Sequence, residues 1–233
     1  MPNVSGNAYS LNILSPVRNG LVPGQQISHA DAIRDQLQGW NTEFNSPMAL
    51  VPQTYLCRFY ILDDVVIQSL PGGSAPDTLA DWSLLESDKA RRGAMPAQDH
   101  LQSAYLVFTS NFYCGQSGSP EPYLKGMWES ISGRIRHLWQ HCYGFEEVQD
   151  ARSFIAYMRR CQLETSLFFV GSNDKPLEEQ LKALYLKQEF SRFALEHQGL
   201  APAALRQAYL AFMQRVQAEN LHHPSWHPGQ YRL

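Results

Sequence analysis

Charge of one sign is scarce in this sequence. Nineteen basic and 22 acidic residues are interspersed over 233 positions and leave a net charge of -3. Such a chain offers no positive field to neutralise phosphates, so nucleic acid is not an expected partner. The local basic clusters, Lys89 with Arg91 and Arg92 and Arg134 with Arg136, are short enough to be solvated helix faces. Cysteine is sparse as well: Cys57, Cys114, Cys142 and Cys161 stand far apart with no CxxC pair, in a chain too large to need disulfide staples. No apolar run approaches the ~20 residues that span a bilayer. The opening MPNVSGNAYS lacks a charged segment followed by an apolar one. The expectation is a cytoplasmic protein with reduced thiols and no membrane partner. Catalytic signatures are missing too. There is no glycine-rich dinucleotide fingerprint, P-loop or HExxH, and Ser117 in GQSGS lacks the order of a nucleophile elbow. No internal repeat is present.

What is present is an ordinary globular composition, 44% hydrophobic and 18% charged, far from the polar, highly charged regime of disorder. The length suits one large domain or a domain with an extension.

Tyr9, Leu11, Ile13 and Ser15 alternate with Ser10, Asn12 and Leu14, the period of a first strand. Ser28, three residues before Asp31, then caps a helix carrying Ala30, Ile33, Leu37 and Trp40 at helical spacing. Residues 53–70 are dense in β-branched and aromatic side chains and read as a long second strand. An insertion at 71–102, with a short helix at 78–90, separates it from a third strand over 104–112. In the next segment Leu124, Met127, Ile131, Ile135, Leu138 and Cys142 fall within about 40° of one direction, an amphipathic helix, which Gly144 terminates. A short helix over 149–161 and a fourth strand over 164–171 complete a βαββαβ order. The fold class is therefore α+β: a ferredoxin-like antiparallel sheet over residues 1–175 with helices on one face. A helical C-terminal extension of two helices follows over 176–233.

Helices on one face leave the other face open. Alternation places Leu56, Arg58, Tyr60 and Leu62 of the second strand on that face, with Asn12 and Ser166 as candidates on the outer strands. Arg58 is the sharpest anomaly, because a guanidinium keeps its charge and cannot be buried unpaired. It pairs with Glu164 or Asp63, lies on a solvated edge, or holds an anionic ligand. His137 and His141 are four apart on the helix, but His137 lies further toward solvent, so the two do not obviously converge. His141 is a hydrogen-bonded structural residue, a heme or metal ligand, or an acid–base group. The tail histidines His222, His223 and His227 belong to a docked or loose end rather than to a site.

Three blocks, LCRFYILDD, YLVFTSNFYCG and IRHLWQHCYGF, resemble those of a set of largely uncharacterised bacterial ferredoxin-like proteins, similar to dimeric α+β barrel proteins. Some members are associated with heme peroxidases or catalases. The resemblance covers residues 50–145 and points to Arg58, Asp63, Asn111, His141, Cys142 and Gly144. It implies a homodimer and a small-molecule ligand or heme between stacked sheets; with Tyr60 added from the alternation, the candidate ligand contacts are Arg58, Tyr60, Asn111 and His141. The insertion and the C-terminal helices depart from the pattern, and either can fill that space. The resulting expectation is a protein that binds an anionic or carboxylate-bearing ligand on the open sheet face. The alternative is a non-catalytic module for homodimerisation or partner binding; no complete catalytic set decides whether it is an enzyme.

Overall fold

The computed structural model describes residues 3–64, 101–171 and 174–230. It is α+β, with one antiparallel sheet. β1 (Val4–Ser5) and β2 (Ala8–Pro16) form a hairpin, and β3 (Thr54–Leu62), β4 (Tyr105–Tyr113) and β5 (Gln162–Leu163) complete the sheet. β4 lies between β2 and β3, while β1 and β5 share the outer edge of β2. The helices are α1 (His29–Thr42), α2 (Glu121–Trp139), α3 (Ala151–Cys161), α4 (Leu177–Glu196) and α5 (Pro202–Val216). This order is compatible with the expected βαββαβ arrangement. The expected insertion helix at 78–90 and the end of the long second strand at 65–70 lie outside the described residues.

The elements form where local chemistry directs them. The Ser28 hydroxyl oxygen accepts from the Asp31 amide at 3.0 Å and donates to the Asp31 carboxylate at 2.7 Å, which satisfies one of the unpaired amides at the start of α1. α3 begins with a capping box in which Asp150 and Ser153 serve each other's backbone amides. Gly144 adopts φ +75° immediately after the turn that ends α2, a conformation in which a Cβ would be strained.

All six residues of the predicted apolar stripe are buried, five of them on α2 and Cys142 in the turn that follows it. They meet Tyr9, Leu11 and Ile13 of β2, Leu106, Phe108 and Phe112 of β4, and Phe154 and Met158 of α3 in one core. Aromatic rings organise it: Phe59 stacks on Phe108 with centroids 4.5 Å apart, and both meet Trp139 in T-shaped contacts. Polar groups that enter this core are paired, as burial requires. Trp139 Nε1 donates to Ser15 Oγ at 3.0 Å, and the Tyr123 hydroxyl lies 2.8 Å from Ser110 Oγ and 3.1 Å from Thr54 Oγ1.

The fourth strand requires a correction. Pairing with β2 covers Gln162 and Leu163, and residues 164–171 form no strand. The outer edge of β2 is divided, because Val4 and Ser5 occupy the positions opposite Tyr9 and Ala8. Segment 164–171 instead hangs on side chains of the N-terminus: the Thr165 amide donates to Asn3 Oδ1 and the Val170 amide to Ser5 Oγ. Leu167 and Phe169 are left 84% and 77% exposed.

α4 and α5 pack on each other around Phe193, Phe212 and Val216, apart from the main core. Gln53 ties them to the sheet, donating to Glu178 and accepting from the Leu177 amide at 2.9 Å. Lys182, 2% exposed, donates to the carbonyls of Val216 and Pro224 at 2.7 Å, which fastens the C-terminal tail to the end of α5.

Candidate functional site

The register of the sheet fixes which side chains share the face away from α1, α2 and α3. Arg58 pairs with Thr109, which pairs with Asn12, which pairs with Leu163. One row therefore crosses the sheet as Arg58, Thr109, Asn12 and Leu163. On one side of it lies Tyr60, Val107 and Leu14, and on the other Leu56, Asn111 and Ser10. The alternation expected for the second strand holds: Leu56, Arg58 and Tyr60 are exposed, while Cys57, Phe59 and Ile61 pack against the core.

Arg58 lies on β3, the edge strand beside β4. Neither acid proposed for it is its partner. Asp63 is held by Arg34 in an ion pair of 2.5 Å, and Glu164 lines a separate cavity beside Arg159, Ser119 and Tyr9. Among the described residues no ion pair or hydrogen bond engages the Arg58 guanidinium, so in the single chain it stands on the solvated edge. Exposed beside it are Tyr60 and Leu56, about half accessible at 50% and 47%.

His141 does not join this constellation. It follows the end of α2 in the helical layer, on the opposite side of the sheet from Arg58, Tyr60 and Asn111. There it meets a residue that the sequence reading missed. His29 Nδ1 and His141 Nδ1 approach to 3.0 Å, and the rings are 8% and 6% exposed. His141 Nε2 lies 3.5 Å from Gln36 Nε2, and Gln36 Oε1 is buried with no partner. Burial holds both imidazole pKa values below the usual range, with the Arg18 guanidinium acting in the same direction on each. For His141 the neighbouring His29 and His137 add to the shift.

This pair borders a cavity of about 430 Å³ between the 18–28 loop, α1 and the end of α2. His137 is exposed at its rim. Since both ring nitrogens of His141 face side chains, it does not fit an axial heme ligand. Among the described residues no group of three or more His, Cys, Asp or Glu could hold a metal ion, and none of their helices is long and apolar enough to cross a membrane.

Cys142, named with His141 in the third block, is fully buried behind the helix end. Burial pushes its thiol far above the ordinary range, a packing residue rather than a nucleophile. No signal near His29 could have announced its meeting with a histidine 112 positions away. Only its place directly after the Ser28 cap marked it as the start of a helix.

No protein-family model, no curated protein and no solved structure matches this chain.

Proposed function

We propose that the open sheet face is the working surface, on which two copies of the chain stack and enclose an anionic, carboxylate-bearing ligand held by Arg58. This is the ferredoxin-like, dimeric α+β barrel reading to which the resemblance also points. One observation carries it. The face presents Leu56, Tyr60 and the partly buried Leu14 around an arginine, and the outward positions of β2, β3 and β4 contain no Asp or Glu.

Apolar side chains about half exposed on a sheet favour coverage, because each square ångström removed from water contributes about 25 cal/mol. Covering Arg58 without a counter-charge opposes that gain, at roughly several kcal/mol per uncompensated ion. Stacking two such faces brings two guanidinium groups together and no acid from these strands. A bound anion resolves the conflict, and a carboxylate suits the fork of a guanidinium. Thr109, Asn12 and Asn111 supply the neighbouring polar contacts, and Tyr60 the apolar wall.

Sedimentation equilibrium with and without succinate tests this. The expected result is a dimer that tightens as succinate is added, while Tyr60→Asp is a monomer in both buffers. A wild-type chain that stays monomeric at every concentration, with and without succinate, would overturn it. Hemin tested alongside should give no Soret change that depends on His141, because that residue lies on the other side of the sheet.

A further inference from the structure

The cavity beside His29 and His141 is built differently from the open face, and the two do not depend on each other. Val22, Pro23, Ile27 and Ala32 give it an apolar wall. Its polar end is the buried histidine pair with Gln36, and the charged or titratable groups that face the pair come from each surrounding element. Arg18, from the loop after β2, is bound to Glu146 at 2.6 Å; Asp35 belongs to α1 and His137 to α2. Arg18 also lies against the helix end itself, where its amide donates to the His141 carbonyl at 2.9 Å.

A contact of 3.0 Å between two Nδ1 atoms is a hydrogen bond only if one nitrogen carries a proton and the other does not. The helix ends favour one of the two assignments. His29 is the first residue of α1, at the positive end of its dipole, and His141 follows the last residue of α2, at a negative end. Positive charge is therefore disfavoured on His29 and favoured on His141. On that assignment the Nδ1 proton belongs to His141 and is donated to His29, whose own proton then sits on Nε2. That nitrogen has no partner among the described residues and is the one left to meet an occupant of the cavity.

In the neutral pair, His141 Nε2 accepts from the Gln36 amide. When a further proton arrives, it goes to that Nε2. With the oxygen and nitrogen of the Gln36 amide exchanged by a half-turn about its last side-chain bond, the partnerless Oε1 is placed to receive it. The site thus has a seat for one additional proton and a neutral N–H donor directed at the cavity.

We propose that this cavity binds a small monocarboxylic acid with an apolar body, taking up the carboxylate together with one proton that the His29–His141 pair holds. The carboxylate accepts from His29 Nε2–H, the proton comes from solvent and rests on His141, and the complex of anion and imidazolium is neutral overall. The apolar wall receives the rest of the ligand, and Arg18 adds favourable potential at the same end.

The test uses the full chain with ring-labelled histidine and titrates it with butanoate and hexanoate, with hexanamide as a neutral match. Saturable shifts of both rings are expected, with hexanoate tighter than butanoate and hexanamide without effect. Because binding takes up a proton, affinity should fall with rising pH, by up to about tenfold per pH unit, from the lowered pKa of the free pair up to the pKa that the pair has in the complex. His141→Asn should weaken hexanoate at least tenfold and remove that slope, whereas Arg58→Ala should leave both unchanged. If His141→Asn does not fold, the wild-type slope decides. No ring shift with hexanoate, equal binding of hexanamide, or affinity independent of pH would each overturn the proposal, and none of these bears on the open face.

Discussion

Acidification should destabilise this protein well above the range in which carboxylates titrate, and the His29–His141 pair sets the size of the effect. Both imidazoles have pKa values lowered in the folded state, with burial as the first cause. In the unfolded chain each titrates near 6.5. A group whose folded pKa is depressed and whose neutral form is the native one supports the fold above the unfolded pKa and loses that support as pH falls. The window therefore opens near pH 6.5 and extends downward to the folded values. With an unfolded pKa near 6.5, a proton kept wholly off the native state costs at most about 1.4 kcal/mol at pH 5.5, and two at most about 2.8 kcal/mol. The pair has a seat for one extra proton, so the smaller figure is expected first and the larger bounds it.

Urea unfolding followed by fluorescence of the five tryptophans at pH 7.5, 6.5 and 5.5 measures this directly. Asparagine places an amide atom near the position of Nδ1, so the double variant His29→Asn, His141→Asn should keep the contact and lose the titration. Its stability should be flat over the same range to within about 0.5 kcal/mol, the usual spread of additive effects. A wild type and double variant with the same pH dependence would refute the assignment of the effect to this pair.

Two further predictions concern the frame around the sites. Replacing Lys182 by Met leaves the carbonyls of Val216 and Pro224 without their buried donor, so α4, α5 and the tail should lose about 2 kcal/mol. Hydrogen exchange should show faster exchange there and unchanged protection in β2 and β4. Tyr123→Phe removes the hydroxyl shared by Ser110 and Thr54; a loss of about 1–2 kcal/mol in urea unfolding is expected, and a neutral result would mean that the two remaining hydroxyls satisfy each other.

The sequence carried the fold where local pattern and burial coincide. Leu124, Met127, Ile131, Ile135, Leu138 and Cys142 could be assigned to one buried stripe because helical periodicity alone aligns them. The alternation of Cys57, Phe59 and Ile61 with Leu56, Arg58 and Tyr60 told the two faces of β3 apart for the same reason. Segment 164–171 misled because LFFV has strand-like composition, whereas the available edge of β2 was already divided with Val4 and Ser5, a competition that no local window contains. The candidate site was half legible. Arg58, Tyr60 and Asn111 share a face that parity predicts, but His141 belongs to another site, since the turn after α2 carries it to the start of α1. Its partner His29 is set by tertiary packing alone.

Whether Arg58 faces an anion inside a dimer is tested most directly by the dimer dissociation constant of Arg58→Met against wild type, with and without succinate. Methionine keeps the stem and removes the charge, so the variant should dimerise more tightly than wild type without succinate and show no response when it is added, while wild type tightens. Equal dissociation constants for the two proteins in both buffers would contradict it.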